Sequence, residues 1–549
     1  MRGLVVALLM LAACPAQGPQ RLGTSPSWRG GQGRVAQVGP VTFAPSSEPA
    51  ARYNEVAPAV PPSPLGDAMT AAVRDAATAA GLPVPRPDAR LFRACAELAE
   101  AVLQHGMVGY PVIEFALQRN GIIEPAPELL IVWGDVSSPD PILKELQPRL
   151  TGVLRDGATS RLGLGSAKSS TDTTGVVVLA LQASGVSTLP IPRAVPAGGR
   201  AAIDAVLDAR YHDPEVFVTY DGGATEQLDL DTRAGRPGGF VAQLDCRGHQ
   251  GREQVEITAS DTAGATVLAN FPVWCGSSPP LSVTVDAAPD DVPATVDEAE
   301  RRLFANVNRD RYAAGLPALQ WDGGLNAVAR AYSDEMQRTK LVAHISPTSG
   351  SAADRVRAAN IRTTVVLENV ARAYGVDEVH QALMNSPGHR ANVMTSVATQ
   401  VGIGVAFGDS MSGRREMFIT EVFTRVPPLF NLAVAAETVR HKLLAARPVP
   451  AVATLDRLAQ QFADGLAAGK TADAVYQSIS GQFGLLGKFY QHVGSVITAV
   501  SDLDSIDGAG LVGSAAGDEL GLGIAQGPHP QIGDHALWIV VLLANRRAQ

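Results

Sequence analysis

This 549-residue chain lacks a charge cluster of either sign: its 45 Lys and Arg and 54 Asp and Glu, a formal net charge of −9, are spread along its length. A nucleic-acid partner would leave a basic footprint, so none is expected. One "RGGQGR" stretch in an acidic chain does not change that. Charged residues are only 18% against 46% apolar, the reverse of a disordered composition. A chain this long exceeds a single core, and about three to five domains are expected. Long apolar runs are scarce too. The N-terminal run Leu4–Ala13 falls short of the roughly 20 residues that span a bilayer, and no second run of about 18 residues follows.

Cysteine is equally sparse, at positions 14, 95, 246 and 275. "MRGLVVALLMLAAC" has one Arg, a short apolar run and then Cys14, which suits a secretory signal. Its end, "LAAC", resembles a bacterial lipobox, so residues 1–13 are expected to be cleaved and Cys14 to carry lipid. The alternative is an ordinary signal peptide with an incidental Cys14. The expected location is the bacterial envelope, periplasmic or at the surface, with the membrane as partner through the lipid. Cys95 falls in an Ala-rich helical pattern and suits a small core position. Cys246 and Cys275 end strand-like segments, "FVAQLDC" and "VLANFPVWC", and an exported protein meets oxidising conditions. A disulfide between them is expected, with two free thiols or a metal site short of ligands as the alternatives.

The composition changes along the chain. Residues 14–65, rich in Pro, Gly and Ser, suit a flexible tether. Residues 66–185 open on helical periodicity and end in "RLGLG" and the apolar run "GVVVLALQ". Residues 186–287 turn to short strands between Gly and Asp turns, suggesting a small all-β sandwich of immunoglobulin type. Residues 288–428 return to helices and strands, and Thr295 with Glu298 fits a capping box. Residues 429–549 repeat that mixture. The fold class is therefore α+β and multidomain.

The pentapeptide "AAGLP" occurs at Ala79–Pro83 and again at Ala313–Pro317. Aligning the two places Asp88 on Asp322, Leu91 on Leu325 and Cys95 on Ala329. Further on, "RLGLG" matches "QVGIG" and, near the end, "ELGLG". Such spacing indicates repeated domains rather than a solenoid, with Gly-x-Gly marking close backbone approach where a strand begins.

Only residues 288–428 hold a convergent polar set. "LVAHISPTSG" contributes His344, "VVLENVARAY" Glu368 and Asn369, "ALMNSPGHRANVM" Ser386 and His389, and "MFITEVF" Glu421. No Ser or Cys with triad logic stands out. Together with "RYAAGLPALQWD", "LNAVARAYSDEM", "DRV", "ENVA" and "VGIGVAF", these motifs resemble the CAP superfamily, or SCP-like extracellular domain, in its bacterial form. The resemblance implies an α-β-α sandwich with His344, Glu368 and His389 lining a cleft. Animal members carry a second Glu before the later His; Ser386 stands there instead. Ser386 is expected to cap or shape the turn and Asn369 to brace the backbone. The regions 66–185 and 429–549 then read as degenerate CAP-like copies, since Tyr110 and Leu150 fall where His344 and His389 would be in the first, and in the second neither histidine has a counterpart, the later one falling near Gly508.

Three functions follow from the resemblance. The first is a binding module for a lipid, cell-wall fragment or protein. The second is a metal-dependent hydrolase or peptidase, with Zn on His344, His389 and Glu368. The third is a structural envelope protein with a vestigial cleft. A non-enzyme is favoured over an enzyme.

Overall fold

The computed structural model describes residues 40–547, apart from 107, 157–158, 172, 233–235, 287–292, 412–413 and 513–516. The expected signal segment, Cys14 and the expected tether as far as residue 39 lie outside the described residues. Among the described residues no helix is long and apolar enough to cross a membrane. The chain forms two compact units. Of the described residues, one holds those up to Arg355 with Leu367–Ser396 and Val401–Val422; the other holds Val356–Val366, Val397–Gln400 and those from Phe423.

Helix Pro64–Ala79 starts where the Ser63 hydroxyl accepts from Gly66 N and Pro64 occupies the first turn. It stops at "AAGLP". Gly81 takes φ +67°, and Leu82 N bonds back to Ala77 O. The second "AAGLP" ends helix Val296–Ala313 the same way, with Gly315 at φ +71° and Leu316 N on Arg311 O. Both are Schellman stops, which only glycine makes at little cost. Thr295 caps the second of these helices by accepting from Glu298 N, while Glu298 reaches back to Ala294 N.

In the first segment, helices Pro64–Ala79, Ala89–His105, Tyr110–Arg119 and Pro139–Asp156 flank a four-stranded sheet. The strand order is Arg86–Pro87, Arg161–Lys168, Thr174–Gln182, Glu128–Asp135. Strand Thr174–Gln182 is buried on both faces. Val176, Val178 and Ala180 pack with Leu91, Cys95 and Leu98, while Val177, Leu179 and Leu181 pack with Met69, Ile142 and Leu150. Helices on both sides of a sheet give three layers, which explains a strand without polar alternation.

The region matching the motif set has the strand order Gln320–Trp321, Gln400–Met411, Arg414–Thr424, Val366–Ala373. The last segment has Glu519–His529, Gly533–Arg546, Tyr490–Val500 in the corresponding places. Close backbone approach recurs in all three. A Cβ on Gly165, Gly404 or Gly523 would stand 2.1–2.2 Å from backbone atoms of Cys95–Ala96, Ala329–Arg330 or Ala459.

Residues 186–275 form two sheets packed face to face. One runs Leu230–Thr232, Gly239–Asp245, Arg200–Leu207, Val186–Thr188. The other runs Thr225–Gln227, His212–Thr219, Gly251–Asp261, Gly264–Cys275, Ala194–Val195. Ile203, Phe240 and Ala242 of the first meet Val255, Ile257 and Phe271 of the second. The expected Cys246–Cys275 disulfide is present, with Cα atoms 5.5 Å apart, and ties the two sheets together. Cys95 is a free, buried thiol.

The expected tether is partly structured. Pro40–Phe43 pairs antiparallel with Val283–Asp286, and Tyr53 is fully buried, donating its hydroxyl to Pro272 O at 2.7 Å. Two aromatic side chains, Phe43 and Tyr53, anchor a stretch whose Pro and Ser content otherwise suits a linker.

Candidate functional site

His344 lies in the loop after helix Gly323–Thr339, and Glu368 and Asn369 on strand Val366–Ala373. Ser386 joins helices Val376–Asn385 and Pro387–Met394, placing His389 in the first turn of the latter; Glu421 is on strand Arg414–Thr424. The structure links these side chains through two connected sets of hydrogen bonds.

In the first, His344 Nδ1 lies 2.6 Å from Glu368 Oε2, and the Arg355 guanidinium holds Glu368 Oε1 at 2.5 Å. Arg355 rests on the Tyr332 ring, its central carbon 3.4 Å from the centroid. Side-chain exposure is 12% for His344, 6% for Arg355 and 3% for Glu368, so this is a nearly dry ion pair.

In the second, Asn369 Nδ2 donates to Glu421 Oε2 at 2.9 Å and to the His389 carbonyl at 3.3 Å, while its Oδ1 accepts from Asn392 at 2.9 Å. Asn392 also donates to the Glu368 carbonyl at 3.1 Å, which joins the two sets. Burial pushes the Glu421 carboxyl up to about 7, against the Asn369 hydrogen bond. Burial first, and then the proximity of the His344 ring, pushes His389 down to about 3, so its imidazole is neutral.

Ser386 occupies the N-cap position of helix Pro387–Met394. Its hydroxyl caps no backbone N–H of the following helix. It lies instead 2.6 Å from His389 Nδ1 and donates to Glu256 Oε2. Glu256 is fully buried on strand Gly251–Asp261 of the β-sandwich, and its Oε1 accepts from Gly388 N at 3.0 Å. Burial pushes its carboxyl up to about 7, against the Ser386 and Gly388 bonds. Sequence reasoning missed Glu256. Alternation puts Val255 and Ile257 into the sandwich core and Glu256 on the opposite face, which a lone strand presents to solvent. That face is covered here. Asn270 donates to Asn385 O at 3.3 Å, Ile345 N to Ala263 O at 3.1 Å, and Arg390 to Gly223 O at 3.3 Å. The sandwich therefore touches the segments carrying both histidines.

Two imidazole nitrogens, His344 Nε2 and His389 Nε2, are buried without a hydrogen-bond partner, as is Glu421 Oε1. Among the described residues no three His, Cys, Asp or Glu are grouped to hold a metal ion. Glu368 has one oxygen on Arg355 and the other on His344, so the expected trio His344, His389 and Glu368 lacks a free carboxylate. These residues do not fit a three-ligand zinc centre.

The sequence pattern of the cysteine-rich secretory protein family, CAP, matches residues 304–423. This stretch is a CAP domain. It includes every residue of the polar set except Glu256. The uncharacterized protein YkwD of Bacillus subtilis is 35% identical over 113 residues, 20% of this chain and 44% of that protein. The uncharacterized membrane protein YlbC of the same organism is 31% identical over 109 residues, 20% of this chain and 31% of that protein. The chain thus spans less than half the length of either relative. An extracellular protein containing an SCP domain from Bacillus anthracis, known from its crystal structure, is 16% identical; the likeness covers 53% of this chain and 93% of that one at a TM-score of 0.22. The CAP domain supplies Ser386, His389 and the Glu368 centre, and the neighbouring sandwich supplies the Glu256 carboxylate.

Proposed function

We propose that the chain is an exported, lipid-anchored protein of the bacterial envelope whose CAP centre binds a ligand and does not turn one over. The observation that carries this reading is the order Glu256–Ser386–His389. In a hydrolytic triad the carboxylate orients the imidazole and the serine is the free end. Here the serine sits in the middle, buried, with both neighbours engaged, so it is a bridge and not a nucleophile. The carboxylate of Glu368 is tied to Arg355 and His344 and cannot serve as a free base. Of a lipid, a wall fragment and a protein, a protein segment is the ligand class favoured. Support comes from the sandwich, whose carbonyls of Ala263 and Gly223 and carboxylate of Glu256 already make hydrogen bonds to this surface.

The two flanking α/β segments are proposed as degenerate CAP-like copies, supported by their strand order and the recurring glycine-on-helix contacts. The two-sheet region is proposed as immunoglobulin-like, supported by its face-to-face packing and inter-sheet disulfide.

The test uses the full chain with His344→Ala and His389→Ala. Peptide-library turnover and zinc calorimetry are expected to show no activity and no histidine-dependent uptake. Turnover lost in either variant would make the centre catalytic and the hydrolase reading correct. A stoichiometric lipid recovered by solvent extraction would replace protein by lipid as ligand. A Cys14→Ala variant that still partitions with membranes would remove the lipid anchor.

A further inference from the structure

The protons around Ser386 can be counted. Glu256 Oε1 accepts from Gly388 N at 3.0 Å, and Oε2 is bonded to the Ser386 hydroxyl. A hydroxyl carries one proton and an ionised carboxylate none. With Glu256 ionised, as it is above pH 7, the Ser386 proton points at Glu256, and the bond to His389 Nδ1 at 2.6 Å is made by a proton on that nitrogen. Neutral His389 is then protonated at Nδ1, and its lone pair is on Nε2. At His344, Glu368 is paired with Arg355 and accepts on Oε2, so Nδ1 at 2.6 Å donates, and in the neutral ring Nε2 carries the lone pair. Both Nε2 atoms are buried and unpartnered.

We propose that Glu256 is a positioning residue for His389. Through the Ser386 hydroxyl, the sandwich carboxylate fixes the Nδ1–H tautomer and leaves Nε2 as an acceptor. The CAP centre then offers two imidazole lone pairs and selects a ligand that donates N–H or O–H groups, such as a protonated amine, over one that presents carboxylate or carbonyl oxygens. The centre is complete only with the sandwich docked on it, because the CAP stretch 304–423 does not include Glu256. The ligand class rests on reading the centre as a binding site; the tautomer does not.

The test is histidine-ring 15N NMR on the full chain, with His389→Gln assigning the signal. It is run above pH 7, because burial pushes Glu256 up to about 7 and the carboxylate must be charged. In the wild type, His389 Nε2 is expected to show a pyridine-type shift and Nδ1 a pyrrole-type one. In Glu256→Gln the side-chain oxygen can still accept from Gly388, but the amide donates to Ser386. The serine proton turns to His389 Nδ1, and the two shifts exchange. His344 keeps its pattern and reports that the centre is folded. A contact that merely holds the domains together would leave the tautomer alike in both proteins, and that result overturns the proposal. Should Glu256→Gln not fold, Ser386→Ala removes the acceptor for Nδ1–H and is expected to shift His389 toward the other tautomer; an unchanged tautomer overturns the proposal equally. For the ligand class, methylammonium and acetate are titrated in turn. Methylammonium is expected to move the Nε2 signals and acetate not; the reverse preference, or no response to either, overturns the donor class while leaving the tautomer standing.

Discussion

Gly404 lies against the backbone of Ala329 so closely that a Cβ on the glycine would stand 2.2 Å from the Ala329 carbonyl carbon. No rotamer relieves a clash with backbone, so helix and strand would have to part. Gly404→Ala is expected to destabilise the protein by about 3 kcal/mol, the upper end for overpacking. Gly152 is the control, inside helix Pro139–Asp156 with nothing within 4 Å of a Cβ. Gly152→Ala is expected to stabilise by about 0.5–1 kcal/mol through helix propensity. Urea melts that rank the two variants the other way would refute the close-packing account.

Much of this arrangement was legible in the chain. The CAP domain announces itself because its motifs are contiguous and local: "SPGHRANVM" fixes a helix start and a histidine within a few residues. The Gly-x-Gly pairs are visible as points of close approach, and the partner helix follows from the periodic residues before them. Glu256 was illegible for a physical reason. Strand alternation says which face is opposite the sandwich core, not whether another domain covers that face. The free carboxylate expected of Glu368 failed similarly, since Arg355 lies 13 positions before it and only the fold brings the guanidinium to it. Burial of Tyr53 depends on Pro272, more than 200 residues away, and no local pattern records such a bond.

The inter-sheet disulfide closes a loop of 29 residues. By loop entropy a link of this size contributes about 3–4 kcal/mol. Cys246→Ala with Cys275→Ala is expected to lower stability by that amount, seen as a shifted urea midpoint. Cys95 is expected to resist thiol reagents in the native chain, because burial holds its thiol well above the usual range. In a Cys14→Ser background, one reactive thiol should appear only on unfolding. A thiol that reacts in the native protein would contradict the packing of Cys95.

The Arg355–Glu368 pair has both side chains more than nine-tenths buried. Arg355→Met strips the cation from a dry carboxylate and is expected to cost about 3–5 kcal/mol. Adding Glu368→Gln removes the stranded charge, so the double variant is expected to recover a substantial part of that loss. A double-mutant cycle by chemical denaturation measures the coupling. Additive costs would mean that the two charges do not depend on one another.

The buried titratable groups of the CAP centre act on stability in opposite directions. His389 stays neutral in the fold down to about 3, whereas an unfolded histidine takes a proton below about 6.5. Acid therefore favours the unfolded chain, and this residue adds stability as pH rises from about 3 to about 6.5. Glu256 and Glu421 behave the other way, with folded carboxyls pushed up to about 7. The folded state keeps protons that the unfolded state has released, so their contribution falls as pH rises from about 4.5 to about 7. Each carboxyl is worth about 3 kcal/mol over that window. The neutral isostere Glu421→Gln removes one such loss and keeps an acceptor for Asn369. Relative to the wild type it is expected to be about 3 kcal/mol more favourable near pH 8 than near pH 4. Urea unfolding of both proteins at the two pH values gives the difference directly. A Glu421→Gln effect that does not change with pH would mean that Glu421 has the same affinity for its proton folded and unfolded.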